Sequence, residues 1–276
     1  MIDVQNISFK YAGSKHLVFD DFSLKLEENR IYGLLGKNGT GKSTLLYLLS
    51  GLLRPSQGSV RCDGIATCKR QPELLRELFL VTEEFQMPNI RLSEYVKLYR
   101  PFYPNFSDEI LQGCLADFEL PADVRLGELS MGQRKKAYIA FAMATDTKYL
   151  LMDEPTNGLD IPSKSQFRKV IAQHMTEERT VVISTHQVHD VEQMLDHIVI
   201  LDKHSVLLNA SMQDIQDHYT FEFRSPQQMD DTVLYAEPTL QGNAVITKRQ
   251  EGDAETQVNL ELLFNYKTNQ KTGPVL

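Results

Sequence analysis

The stretch Gly36-Lys37-Asn38-Gly39-Thr40-Gly41-Lys42-Ser43-Thr44 constrains this chain more than any other. It fits Gly, four residues, Gly-Lys-Ser, the spacing of a phosphate-binding loop. The apolar run Ile31 to Leu35 before it predicts a buried strand. Leu45, Leu46, Leu48 and Leu49 after it predict a helix, with Gly51 and Pro55 as stop signals. A glycine-rich loop lets backbone N–H groups wrap an anion, and the helix N-terminus adds about half an elementary positive charge. Lys42 is placed to reach β- and γ-phosphates, and the Ser43 hydroxyl to hold Mg²⁺. With glycine at about 7% of average usage, a chance match in a chain of this size is on the order of one per cent. The flanking strand and helix lower that further, so nucleoside triphosphate binding anchors everything that follows.

Taken in order, Ile7, Phe9 and Tyr11 alternate, as do Phe22, Leu24 and Leu26, which predicts two half-buried antiparallel strands around the turn Ala12-Gly13-Ser14. Gly58, Asp63 and Gly64 punctuate a further hairpin-like stretch, and Leu78 to Val81 predicts a short buried strand. From about residue 84 to 135 the apolar period becomes helical, and Pro88, Pro101, Pro104 and Pro121 cut the region into short pieces: a mostly helical insertion. The sheet then resumes with Tyr149 to Met152, Val181 to Ile183 and Ile198 to Leu201, separated by helical patterns, the alternation of a parallel sheet. The expected division is therefore an α/β domain over residues 1–218 and a small α+β appendage over residues 219–276. In the appendage, Val233 to Tyr235 and Ala244 to Ile246 flank a predicted turn at Gly242-Asn243, and Leu260 to Phe264 forms a short helix or strand. A unit of this size is near the lower limit for a self-sufficient core and is expected to lean on the main domain.

Composition narrows the function classes. The net charge of −8 disfavours a general affinity for nucleic acid, which needs many cations facing phosphates. Cys62, Cys68 and Cys114 form no paired framework and no metal-ligand spacing, as expected of reduced thiols. No apolar run approaches the roughly 20 residues of a membrane helix, and Met1-Ile2-Asp3-Val4 opens no secretory signal.

Four further stretches add chemistry. Leu150-Leu151-Met152-Asp153-Glu154-Pro155 is an apolar strand ending in two carboxylates. Asp153 is positioned to hold Mg²⁺ and Glu154 to orient and deprotonate a water. Leu129-Ser130-Met131-Gly132-Gln133 opens a helix with Ser130 as N-cap, and a capped N-terminus is also an anion site. Asn157-Gly158-Leu159-Asp160 is a turn, and Val181 to His186 is a buried strand ending in histidine. His189, three residues on, suggests a metal pair only weakly, because no third ligand is placed.

In this order and combination, these stretches resemble the ATPase subunit of the ATP-binding cassette (ABC) family, over roughly Met1 to His218. The resemblance implies a P-loop nucleotide triphosphatase core with a parallel sheet, an N-terminal antiparallel β subdomain and a helical insertion. It implies ATP and Mg²⁺ as cofactors and ATP hydrolysis as the activity. Two such subunits, as a homodimer or an ATPase heterodimer, would sandwich ATP head to tail. Tyr11 looks like the aromatic that stacks on adenine; Gly36, Lys37, Asn38, Gly39, Thr40, Gly41, Lys42, Ser43 and Thr44 would hold the phosphates. Asp153, with Ser43, would serve Mg²⁺, Glu154 would be the general base and His186 the γ-phosphate sensor. Ser130, Gly132 and Gln133 would bind the γ-phosphate of the opposite subunit's ATP, and Asp160 would contact that subunit. Two departures stand out: Met131 where glycine is common, and Glu83, in Val81-Thr82-Glu83-Glu84, where many members have a metal-binding glutamine. A carboxylate at Glu83 can still bind Mg²⁺ but adds negative charge.

The resemblance implies a subunit that powers a membrane transporter, cytoplasmic and peripheral on the inner face of the membrane through a permease on a separate chain, with no nucleic-acid partner. Tyr95, Tyr99, Phe102, Tyr103 and Phe106 are candidates for the permease surface, against the alternative that they fill the insertion's own core. The stretches Leu129 to Lys136 and Tyr103 to Phe106 look like exporter-type subunits, so export is the expected direction. The competing reading is a soluble ABC-type ATPase acting as a regulatory module or as a nucleic-acid- or ribosome-associated one, the latter a class that usually carries two cassettes on one chain or a long coiled-coil insertion.

Overall fold

The structure is a computed structural model that describes residues 1–176 and 178–270. The chain opens with β1 (Ile2–Phe9) and β2 (Phe19–Leu26), antiparallel and buried on alternate residues except where irregularities at Gln5-Asn6 and Asp20-Asp21 shift the register. Tyr11 does not continue β1, because residues 11–14 close a turn with Ser14 N–H donating to the Tyr11 carbonyl at 3.0 Å. The fully buried β3 (Ile31–Gly36) then runs into the glycine-rich loop and α1 (Lys42–Leu49). After it come β4 (Gln57–Cys62) and β5 (Ile65–Ala66), the expected hairpin, which complete a four-stranded antiparallel sheet in the order β2-β1-β4-β5. A single-turn α2 (Pro72–Leu75) leads to β6 (Leu78–Val81).

The helical stretch contains α3 (Leu92–Tyr99) and α4 (Asp108–Asp117), and ends by feeding α5 (Met131–Ala144). Caps start these helices: Ser107 Oγ accepts from Ile110 N–H ahead of α4, and Ser130 with Gln133 forms a reciprocal capping box ahead of α5. The remaining strands of the large sheet are β7 (Tyr149–Asp153), β8 (Thr180–Thr185) after α6 (Ile161–Gln173), and β9 (His197–Asp202), with the antiparallel β10 (Ser205–Ser211) at one edge. Its order is β10-β9-β3-β8-β7-β6, and β9, β3, β8, β7 and β6 run parallel.

Both faces of this sheet are covered, which is why its strands read as continuous apolar runs. Leu35, Met152, Ile183 and Ile200 face one core with Phe141 of α5 and Phe167 of α6. Leu34, Leu151, Val182 and Leu201 face a second core with the leucines of α1 and the inner side of the N-terminal sheet. The aromatic cluster of the insertion is centred on Phe141, which is 1% exposed and has Tyr95, Phe106 and Phe79 at ring-centroid distances of 4.9, 5.5 and 5.9 Å. Tyr95 and Phe106 therefore fill the core, while Phe102 is 63% exposed.

The chain continues through α7 (Met212–His218) to a three-stranded antiparallel sheet of β11 (Tyr219–Arg224), β12 (Val233–Thr239) and β13 (Gly242–Lys248), and the last element among the described residues is α8 (Leu260–Asn269). Gly242 and Asn243, expected in the turn, instead open β13; the turn lies at Leu240-Gln241, where Thr239 pairs with Gly242. Leu260 and Leu263 of α8 join the same apolar core as Ile198, Ile200 and Leu208, so the C-terminal segment packs on the large sheet. Residues 271–276 of the expected appendage lie outside the described residues.

Candidate functional site

Parallel strands bring their carboxyl ends to one edge of the sheet, where ligands of α/β folds bind. Leu35 pairs with Thr185 and Asp153 with Ser184, so the loop after β3, the carboxylates after β7 and the histidine after β8 emerge side by side. They surround a cavity of about 590 Å³. Asn38, Gly39, Gly41, Lys42, Ser43 and Thr44 line it from the loop and the start of α1, Tyr11 and Val18 from the connection between β1 and β2, and Glu83, Glu154, Asn157 and His186 complete the lining.

The loop has the form of an anion cradle. Gly39 and Gly41 take left-handed φ values of 82° and 99°, and a Cβ on Gly41 would sit 2.9 Å from both Phe19 Cζ and Val18 Cγ1. A Cβ on Gly36 would lie 2.5 Å from Thr40 Oγ1. The first N–H groups of α1 have no intrahelical acceptor and open onto this loop. Lys42 is 6% exposed; its Nζ donates to the Gly36 carbonyl at 2.7 Å and lies 3.9 Å from Glu154 Oε1. Burial pushes its pKa down, and Glu154, Asp153 and Glu83 pull it back up. A buried cation, the unpaired N–H groups that begin α1 and glycines held at left-handed φ fit a triphosphate.

The carboxylates are fixed by β8. Asp153, 2% exposed, accepts from Ser184 Oγ. Glu154 adopts φ 44°, left-handed for a residue with a Cβ, and its N–H donates to the Ser184 carbonyl at 3.0 Å. That backbone turn directs the side chain into the cavity, where Oε1 lies 2.8 Å from His186 Nδ1. In the tautomer that carries its proton on Nδ1, the imidazole donates to this carboxylate. Among the described residues, no group of three or more His, Cys, Asp and Glu could hold a metal ion. Ser43 lines the cavity and Asp153 does not, but their oxygens are the hard donors that suit Mg²⁺, a cation that takes much of its shell from phosphate and water. Glu83 Oε1 accepts from Asn157 Nδ2 at 2.7 Å. His189 lies 2.6 Å from Glu261 and forms no pair with His186.

The other expected site residues stand outside this cavity. Ser130 and Gln133 are engaged in their capping box, at 3.3 and 3.0 Å. Gly132 faces the turn between β7 and α6, since a Cβ on it would come 3.8 Å from the Gly158 carbonyl. Asp160 caps α6 through Ser163 N–H at 2.9 Å, and those hydrogen bonds hold its carboxyl below the usual range. Met131 and Ile161, beside these caps, are 72% and 84% exposed. Sequence reasoning assigned no role to Ser184, Asn157 or Lys135. All three lay inside stretches already singled out, but a lysine one turn into a helix carries no signal of its own.

The sequence profile described as ABC transporter matches residues 19–157, half of the chain. The chain belongs to the ABC transporter family. The ABC transporter ATP-binding protein NatA of Bacillus subtilis (strain 168) is 29% identical over 226 residues, covering 79% of this chain and 92% of its own. Nod factor export ATP-binding protein I of Cupriavidus metallidurans is 26% identical over 208 residues, 73% of this chain and 68% of its own. A dimeric bacterial ABC transporter cassette of known structure superposes with a TM-score of 0.66 at 25% identity, over 77% of this chain and 99% of its own. The ABC assignment agrees with the geometry of the anion cradle, and among the described residues no helix is long and apolar enough to cross a membrane.

Proposed function

We propose that this chain is the ATP-hydrolysing subunit of a membrane transporter, with residues 1–218 forming the ATPase unit and residues 219–276 an appendage to it. The observation that carries the ATPase reading is the convergence on one cavity of Lys42, Glu154 and His186, with Glu154 Oε1 lying 2.8 Å from the imidazole and 3.9 Å from the ammonium. In this reading Tyr11, 43% exposed at the cavity rim, offers its ring to the adenine, and its hydroxyl is kept in place by Thr44 Oγ1 at 3.0 Å. Residues Gly36 to Thr44 wrap the phosphates, and Lys42 exchanges the Gly36 carbonyl for a phosphate oxygen. Ser43 and Asp153 hold Mg²⁺, which when bound neutralises charge on the β- and γ-phosphates. Glu83 adds a carboxylate at the edge of that site. Glu154 takes a proton from the attacking water, and His186 orients the Glu154 carboxylate.

The exposed Met131 and Ile161 beside Ser130, Gly132, Gln133 and Asp160 support a face that pairs with a second ATPase subunit, whether identical or not, in an ATP-driven dimer. The dimeric state of the related cassette is consistent with this. The partner for transport is a permease on another chain, which would place this one on the inner face of the membrane. Export is the proposed direction. It rests on the exporter-like stretches and the kinship with a Nod factor export protein, since relatives serve import as well.

Glu154→Gln tests the reading. ATP binding is expected to persist while hydrolysis falls by the roughly 10²- to 10⁴-fold typical of general-base loss, and an ATP-dependent dimer to accumulate in size-exclusion chromatography. Normal turnover by the variant removes Glu154 from the role. Absence of any dimer, with ATP and with co-purified membrane protein present, removes the paired-subunit arrangement.

A further inference from the structure

Lys135 lies one turn into α5 and is 4% exposed. Among the described residues, no carboxylate comes within ion-pair distance of its ammonium. A buried charge in that position is retained only where other groups hold it. Here its Nζ donates to two backbone carbonyls, Glu154 O and Asn157 O, both at 2.8 Å. These carbonyls are the two ends of one turn, itself closed by Asn157 N–H donating to Glu154 O at 3.2 Å. Burial lowers the pKa of Lys135, while Glu83, Glu154 and Asp153 support its charged form.

The residue at the head of that turn is Glu154, in the left-handed conformation that L-residues disfavour. Its N–H is pinned by the Ser184 carbonyl and its C=O by Lys135, so both peptide groups flanking the strained φ are fixed from outside. Strained backbone persists only where its surroundings over-determine it. The tail of the turn, Asn157, in turn holds Glu83 through its side-chain amide at 2.7 Å.

We propose that Lys135 is a positioning residue for hydrolysis: its ammonium clamps the Glu154–Asn157 turn and so keeps the Glu154 carboxylate aimed into the nucleotide cavity. The inference rests on the reading of Glu154 as the base. Because Lys135 belongs to the helix that starts at Ser130, the clamp also joins the face offered to a second subunit to the catalytic turn.

The test compares Lys135→Met, which keeps the apolar stem and removes the donors, with Lys135→Arg, whose guanidinium can donate to both carbonyls. Two readouts are used: steady-state kcat and KM for ATP, and amide hydrogen exchange in the nucleotide-free protein for a peptide spanning residues 150–159. Lys135→Met is expected to lower kcat about tenfold to a hundredfold, the scale of a misplacement of about 1 Å, with KM within about twofold. Exchange should rise at residues 154–158 and not elsewhere, and Lys135→Arg should recover most of both effects. Unchanged local protection overturns the proposal, as does a global rise in exchange that arginine does not reverse. If Lys135→Met does not fold, Lys135→Gln, which keeps an uncharged NH₂ donor group, is judged by the same readouts. Glu154→Gln is run alongside: full turnover there removes the base reading while leaving the protection result intact, so the two failures are distinguishable.

Discussion

Lys42→Met puts the cradle to a quantitative test. In the nucleotide-free protein Lys42 lies 3.9 Å from Glu154 Oε1, and both side chains are over nine-tenths buried. Two unit charges at that distance interact by about 4 kcal/mol at an effective dielectric constant near 20. Desolvating the ammonium opposes this by several kcal/mol, consistent with the lowered pKa of Lys42. The two terms largely cancel, so the variant should unfold at nearly the wild-type temperature without nucleotide.

With nucleotide, the balance changes. A charge-assisted hydrogen bond to phosphate contributes roughly 1.5–3 kcal/mol, so its removal raises the dissociation constant about 10- to 150-fold. At a ligand concentration 100 times the wild-type constant, binding stabilises the wild type by about 2.7 kcal/mol; a hundredfold weaker site gains only about 0.4 kcal/mol. For a chain of this size each kcal/mol moves the midpoint by roughly 2–4 °C. The ATP-induced shift should therefore fall from about 5–11 °C to about 1–2 °C. The assay is thermal unfolding with and without ATP in chelator, which excludes turnover. A full ATP shift in Lys42→Met would refute the assignment of this lysine to the phosphates, and a large drop in the nucleotide-free midpoint would refute the cancellation.

Two further outcomes follow from single contacts. Glu83→Gln keeps the oxygen that accepts from Asn157 but removes the charge, so the fold should be unchanged, metal-free ATP binding should tighten and the half-saturating Mg²⁺ should rise. Superimposable Mg²⁺ titrations for the two proteins would place Glu83 outside the site. His189 joins the first turn of α8 to the segment after His186: Glu261 Oε2 lies 2.6 Å from Nε2 and Glu192 Oε1 3.6 Å from Nδ1, and Glu261 chiefly raises its pKa above the ordinary value near 6.5. A raised folded pKa means that this contact stabilises fully below the unfolded value and is lost as pH rises through the folded one. After correction for intrinsic rates, the amides of α8 should lose protection from pH 6 to pH 8, and Glu261→Gln should flatten that dependence; an unaltered dependence would exclude the pair.

The phosphate loop was legible in the residues alone because its function is a backbone property. Only glycine tolerates φ values near those of Gly39 and Gly41, so the requirement is written as residue identity at set spacing. The same holds for the strands of the large sheet, whose burial on both faces forces the unbroken runs at Ile31 to Leu35, Tyr149 to Met152 and Val181 to Ile183. The cap at Ser130 was equally local, acting within one helical turn.

Other features depended on contacts between residues far apart in the chain. Whether Tyr95 and Phe106 faced outward or inward was decided by Phe141, more than thirty positions away and on another helix. The pairing of Asp153 with Ser184 and of Glu154 with His186 required β7 and β8 to lie side by side in register. The packing of α8 on the large sheet could not be read from a helix that is apolar on one side, because periodicity identifies a buried face and not its neighbour. Lys135 is the extreme case. A lysine in a helix normally lies in solvent, and only the convergence of the Glu154 and Asn157 carbonyls beneath α5 made burying its charge tolerable. Residue identities determined the local conformations and the kind of ligand; the tertiary structure decided which buried polar groups meet, because each needs a partner that the chain supplies from a distant segment.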